Sequence, residues 1–223
     1  MSSLDDLNFS FVPPEDSGQP QTNRAGGRRN QFCNSSTPTL APTLVIPSTS
    51  NGITTVERPT ILAYLPQTSA QQAFLTLEDE QNHLVYNATV ALPESKGIVR
   101  FTIPDTAPAL ELEKDYQISL AIVCDVVLDP NDPVLEGWIK RIELDADLAA
   151  QQAQLTELET AALYANNGIW FDAVATLADL RQSQADNPDV LAAWAELLQS
   201  VELEIIQDAD ILNNLHMDHS AAE

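Results

Sequence analysis

From Tyr116 to Asp125 the chain alternates with period two. Tyr116, Ile118, Leu120, Ile122 and Cys124 fall on one face. Ala121 and Val123, on the other face, are also apolar, which predicts a strand with neighbours on both sides rather than one at an edge. Six further stretches read as strands: residues 40–46, 60–65, 73–78, 84–92, 98–103 and 137–144. Turn signals separate them. Asn51-Gly52 is a turn dipeptide, and Pro47, Pro59, Pro66, Pro93 and Pro104 stand at strand ends, where a missing N–H does least harm. Short strands at such regular intervals predict an antiparallel sandwich of immunoglobulin-like layout. A small barrel is the alternative. The Cys…Trp…Cys core signature of antibody domains is missing, so the likeness is one of architecture.

After Leu144 the period changes. Asp145 and Asp147 are suited to capping a helix start, and Leu148, Leu155, Leu158 and Ala162 recur at helical spacing up to Asn166-Asn167-Gly168. A second helix carries Trp170, Val174, Leu177 and Leu180 on one face. Asp186-Asn-Pro188-Asp189 breaks it. A third carries Leu191, Trp194, Leu198, Val201 and Ile205. The order of helix, tight turn, helix, proline and helix resembles tetratricopeptide-type packing, with room for one repeat. Trp170 and Phe171 read as the seam between helices and sheets. The expected fold is therefore α+β: an antiparallel sandwich followed by a helical hairpin or three-helix bundle. The expected segments are an extended arm at 1–38, the sandwich at 39–144, the helices at 145–212 and a frayed tail at 213–223.

Within the arm, Leu7, Phe9 and Phe11 alternate with polar residues, a short strand signal. That strand is expected to add to a sheet, of its own copy or a neighbour's. Arg24, Arg28 and Arg29 form the one basic cluster of a very acidic chain. The arm is expected to lie on acidic surface, again its own or a neighbour's. A phosphate-binding glycine loop lacks the strand and helix that such a loop joins.

Charge narrows the partners. Lys and Arg number 10 against 33 Asp and Glu, giving a formal net charge of −23. Such a field repels nucleic acid and anionic membrane surfaces. No apolar run reaches the roughly 18 residues that span a bilayer. Met1-Ser-Ser-Leu-Asp-Asp has neither the basic nor the apolar region of a secretion leader. At this level the chain is either cytosolic or a mature form whose leader is gone.

Candidate chemistry is thin. Cys33 and Cys124 are the only cysteines. They are either two separate thiols or one disulfide, which would close a loop of about 90 residues and stabilise by about 4.6 kcal/mol in the chain-entropy picture. A catalytic cysteine lacks a histidine partner. His216 and His219 stand three apart in the tail without another metal ligand beside them. His83 reads as a solvated residue before a strand. Asp125, Asp129 and Asp132 gather carboxylates in one loop, the kind of oxygen set calcium takes, but without the glycine turn of an EF-hand. Paired carboxylates for glycoside hydrolysis are decided by distance in space, which sequence does not give. No nucleophile elbow, HExxH, phosphate loop or dinucleotide fingerprint occurs. Trp138 shares a strand face with Lys140, Ile142 and Leu144. It reads either as a lid on the end of the sandwich or as a platform for carbohydrate or peptide.

An ordered series of motifs carries a resemblance. Phe11-Val-Pro-Pro14, Arg24-Ala-Gly-Gly-Arg28 and Cys33 come first. Thr54-Thr-Val-Glu-Arg-Pro59, Tyr64-Leu-Pro66, Gly97-Ile-Val and Pro104 follow. Tyr116, Cys124-Asp125, Gly137-Trp-Ile-Lys-Arg141, Gly168-Ile-Trp-Phe-Asp-Ala173 and Trp194-Ala-Glu-Leu-Leu198 complete it. From about Phe9 to Ile206 the chain resembles the cyanobacterial domain-of-unknown-function 928 family. The resemblance implies export behind a leader, and pairing of the arm cysteine with that of the late strand. It implies no activity. The expectation is a non-catalytic, periplasmic or extracellular protein without cofactor. It would work through protein contacts, copies of itself included, in an envelope, adhesion or filament role. A secreted binding module for carbohydrate or calcium is the alternative.

Overall fold

The computed structural model describes residues 7–14, 33, 40–48, 50–125, 127–215 and 217–219, together with residues 25 and 26; for 25, 26, 218 and 219 it describes the backbone alone. Its strands are β1 (Ala25–Gly26), β2 (Thr43–Leu44), β3 (Gly52–Thr54), β4 (Thr60–Leu65), β5 (Gln72–Asp79), β6 (Leu84–Ala91), β7 (Gly97–Thr102), β8 (Asp115–Val123), β9 (Val134–Arg141), β10 (Ile211–Asn214) and β11 (Met217–His219). Its helices are α1 (Ala146–Gln152), α2 (Glu157–Asn166), α3 (Trp170–Ser183) and α4 (Pro188–Gln199).

Alternation builds the large sheet, ordered β1-β9-β8-β5-β6-β11, with β3 on the outer edge of β9. Its long strands β5, β6, β8 and β9 bury every second residue. In β8 these are Tyr116, Ile118, Leu120 and Ile122, and β8 lies between β9 and β5, well inside the sheet. The small sheet, ordered β10-β7-β4-β2, follows a different pattern. β4 and β7 are buried almost without alternation, as strands covered on both faces must be. Helix α3 packs against β3, β4 and β10. On the other side, Leu44 and Ile46 press against Gly137 of β9, where an added Cβ would come within 2.6 Å of Ile46 Cδ1. One apolar cluster runs through both sheets and the helices.

Three expectations are corrected. First, the sheets are mixed rather than purely antiparallel. β3 runs parallel to β9 and β10 parallel to β7. Gly52, expected in a turn, begins β3, where there is no room for a side chain beside the Phe171 ring. Second, the single helix expected over 145–168 is two. Asp145 caps α1, but Thr156 and Glu159 form a reciprocal capping box that starts α2 afresh. Third, α4 stops at Gln199, and Glu202 takes a left-handed backbone just beyond it. Val190, Ala193, Trp194, Leu197 and Leu198 make its buried face, while Leu191 and Ile205, expected there, are 39% and 66% exposed. Beyond α4, Ile211 and Leu212 of the segment expected to be helical join Asn213 and Asn214 of the expected tail in β10, and β11 lies within that tail, one strand in each sheet. Strand β9 also begins three residues earlier than expected, at Val134.

Candidate functional site

Of the arm, β1 (Ala25–Gly26) pairs with β9, but the first described segment enters no sheet. Residues 7–14 lie on the helices, which corrects the strand expected there. Phe9 and Phe11 are buried. The Phe9 N–H donates to Glu196 Oε1 at 3.0 Å, the Phe11 N–H to Ser200 Oγ at 2.9 Å and the Val12 N–H to the Ala165 carbonyl at 3.1 Å. Asn166 Nδ2 donates back to the Asn8 carbonyl at 2.7 Å. These bonds satisfy backbone groups that the arm would otherwise bury unpaired. The Phe11 ring meets Trp170 edge to face at 5.1 Å and 82°. Trp170 in turn donates its indole N–H to the Val45 carbonyl at 2.8 Å, so arm, helix and small sheet join in one line. Gly168 makes room for this. Its φ is +74°, and a Cβ there would stand 2.6 Å from Pro14 Cγ and 3.0 Å from the Val12 carbonyl oxygen. Leu7 packs on the rim of the core. Arg24, Arg28 and Arg29 lie outside the described residues.

Cys33 and Cys124 are joined in a disulfide. It ties the segment after β1 to the end of β8. The loop that follows is held by its own carboxylates. Asp132 accepts from the Cys124 N–H at 3.4 Å and the Asp129 N–H at 2.9 Å, and Asp129 accepts from the Asn131 N–H and side-chain amide. The Asn131 backbone N–H is the main reason the Asp129 carboxyl titrates below its ordinary range. Asp125 is exposed beside them. The carboxylates of Asp129 and Asp132 are thus committed to the turn. Among the described residues no three His, Cys, Asp or Glu side chains group so as to hold a metal ion. His216 and the His219 side chain lie outside the described residues. His83 Nδ1 rests 3.2 Å from Asp79 Oδ2 in the β5–β6 turn.

The large sheet turns its other face away from the core. Trp138 of β9 stands opposite Gln117 of β8, and Gln117 opposite Glu78 of β5. In the next rank Glu136, Ser119 and Thr76 stand abreast, and beyond Trp138 on the other side Lys140 faces Asp115. Gln117 Nε2 donates to Glu136 Oε1 at 3.4 Å, and Lys140 Nζ pairs with Glu113 at 2.9 Å. Phe74 and Trp138 belong neither to the core cluster nor to the residues packed on it. Trp138 therefore faces outward on the sheet, not inward over its end.

A model of the family described as Domain of Unknown Function (DUF928) matches residues 24–211. The chain belongs to the DUF928 family. Neither the curated proteins nor the solved structures contain a match. The helical groove, the disulfide and the outward sheet face of this DUF928 chain fall inside the matched span, and the docked segment 7–14 precedes it.

Two polar features of the DUF928 chain escaped the sequence reading. Asp172, buried in the first turn of α3, accepts from the Thr55 hydroxyl at 2.7 Å and the Thr55 N–H at 3.1 Å. Burial pushes its carboxyl up, against the pull of those hydrogen bonds. Burial, helped by the nearby Asp172 charge, likewise raises the Tyr164 phenol. The signal was present in Trp170-Phe-Asp-Ala-Val174, an acid inside a run of core residues. The second is Arg100, buried on β7, which reaches α3 to pair with Asp179 and to donate to Gln182. Asp179 also lines a cleft of about 360 Å³ with Thr160, Tyr164 and Thr176. Among the described residues no helix is long and apolar enough to cross a membrane.

Proposed function

We propose that this chain is a non-catalytic, extracytoplasmic protein that works by contact, as a subunit of an envelope, adhesion or filament assembly. Its copies are joined by exchange of the arm. The observation that carries this reading is the docking of residues 7–14. The segment pairs with no strand, and Phe9, Phe11 and Val12 meet groups that all belong to the body: Glu196 for Phe9, Ser200 and Trp170 for Phe11, and the Ala165 carbonyl for Val12. The same groove on a second copy offers the same contacts, which is the condition for swapping an element at low cost. Ten residues, 15–24, separate the docked segment from β1. They span at most about 35 Å when fully extended, which sets the distance within which a second copy's groove must lie. The disulfide supports an oxidising compartment.

Light scattering tests the exchange. The full chain is expected to give a mass above the 24.3 kDa of one copy, rising with concentration, and a chain lacking residues 1–14 to stay monomeric. A full chain that is monomeric throughout overturns it. Location is read by fractionating cells under thiol-blocking conditions. Linked cysteines in an extracytoplasmic fraction are expected. Free thiols in the cytosol would contradict the location and leave the exchange to its own test. A second reading, a ligand-binding module, is favoured by the outward face of the large sheet.

A further inference from the structure

An aromatic ring as large as indole is normally spent on the core, and Trp170 and Trp194 are, at 0% and 1% exposure. Trp138 is not. It stands half-buried on the outward face, surrounded by groups that hydrogen-bond. Its cross-strand neighbour Gln117 offers both a donor and an acceptor. Glu136, two residues along β9, and Glu78, one strand beyond Gln117, offer acceptors. Strands lie about 4.8 Å apart and same-face residues about 7 Å apart along each, so these groups form a shallow, regular lattice rather than a pocket.

We propose that this face binds a neutral polysaccharide chain, with Trp138 stacked on a sugar ring and Gln117, Glu136 and Glu78 bonding its hydroxyls. This gives the ligand-binding reading a surface and a chemical class. A pyranose ring has an apolar C–H face that suits the flat side of indole. Its rim of hydroxyls gives and accepts hydrogen bonds, as the mixed set around Trp138 requires. The open lattice suits an extended repeating polymer more than a small molecule, which would need enclosure. Charge selects among polymers. Glu78, Glu136 and Asp115 outweigh Lys140, already paired with Glu113, and the whole chain carries −23. Anionic polysaccharides and phosphate-bearing surfaces are therefore repelled. A protein partner fits less well, because interface centres are depleted of charge, whereas carboxylates here stand within two strands of the ring.

The test is affinity electrophoresis of the full, oxidised chain through gels containing β-glucan, xylan, galactomannan or alginate. It is paired with fluorescence titration. At least one neutral polymer is expected to retard the protein and alginate is not. Trp138→Ala is expected to weaken retardation at least tenfold, and Gln117→Ala severalfold, with unchanged far-ultraviolet circular dichroism. Because the other two tryptophans are sealed in the core, the fluorescence change on binding is expected to vanish in Trp138→Phe. Retardation by none of the neutral polymers overturns the proposal, as does retardation by alginate alone or undiminished binding by Trp138→Ala. Deleting residues 1–14 is expected to leave binding intact, so this surface and the arm exchange stand or fall separately.

Discussion

Phe11 is the residue on which the docked arm turns. It is 7% exposed and touches the Trp170 ring edge to face. In a rigid core, truncating a phenylalanine to alanine costs about 3–5 kcal/mol. Of that, the ring pair itself contributes about 0.5–1.5 kcal/mol. The arm has another course open to it. Detached, its eight described residues each regain about 1–2 kcal/mol of backbone entropy. Its contacts must outweigh that sum, and the net hold is a small difference between large terms. Phe11→Ala is therefore expected to release the arm instead of leaving a cavity, and the cost is capped at the free energy of docking. Global unfolding should lose less than about 3 kcal/mol, a fall in Tm of less than about 12 °C for a chain of this size. Trp170, shielded by Phe11, should shift its emission to the red. The shift should match that of a chain lacking residues 1–14, and proteases should cut the arm faster than they cut the body. Two results refute the reasoning. A loss of the full 3–5 kcal/mol without faster cutting makes the arm part of the core. No change in stability, emission or cutting means the contacts do not hold it.

Three further outcomes are expected. Replacing both Cys33 and Cys124 with serine removes a link between positions 91 apart. It should cost about 4.6 kcal/mol, or roughly 9–18 °C in Tm by calorimetry. Asp172 has a folded pKa raised above its unfolded one by burial, so its favourable contribution is complete below the unfolded pKa and is lost as pH rises through the folded one. Measured by urea unfolding from acidic to neutral pH, the wild type should lose stability relative to Asp172→Asn across that window; a flat difference would contradict this. Gly168→Ala should cost more than the roughly 1–2 kcal/mol of a left-handed residue, because its methyl also meets Pro14. The excess should disappear when residues 1–14 are deleted.

The strands that alternate were legible in the sequence because one face meets the core and the other water. Of these, β5, β6 and β8 differed from the expected bounds by a residue or two at their ends; β4, which matched, and β7, one residue off at each end, are buried on both faces and were marked instead by the prolines beside them, Pro59, Pro66 and Pro104. What sequence could not give was pairing between distant segments. β3 is three residues running parallel to β9, and β10 and β11 are short edges whose partners are more than a hundred residues away. The arm misled for a related reason. Leu7, Phe9 and Phe11 alternate, yet their partners are side chains on helices, so alternation marked burial without marking a sheet. Glu196 and Ser200, at the end of α4 and its C-cap, accept the N–H groups of Phe9 and Phe11, and helical spacing does not single them out. Strand period set Trp138 on one face with Lys140 but left open whether it capped the end of the sandwich; its outward aspect and its companions Gln117 and Glu78 depend on register, which only the folded sheet supplies.

The exchange of the arm can be trapped directly. Ser10 Oγ lies 3.3 Å from Glu196 Oε1, where arm meets groove. One chain carrying only Ser10→Cys and another carrying only Glu196→Cys are mixed, allowed to associate, oxidised and run on a non-reducing gel. A covalent pair containing one of each chain is expected. If only a single chain bearing both substitutions closes the bond, and the mixture yields no joined pair, the arm serves its own body alone and the account of assembly is contradicted.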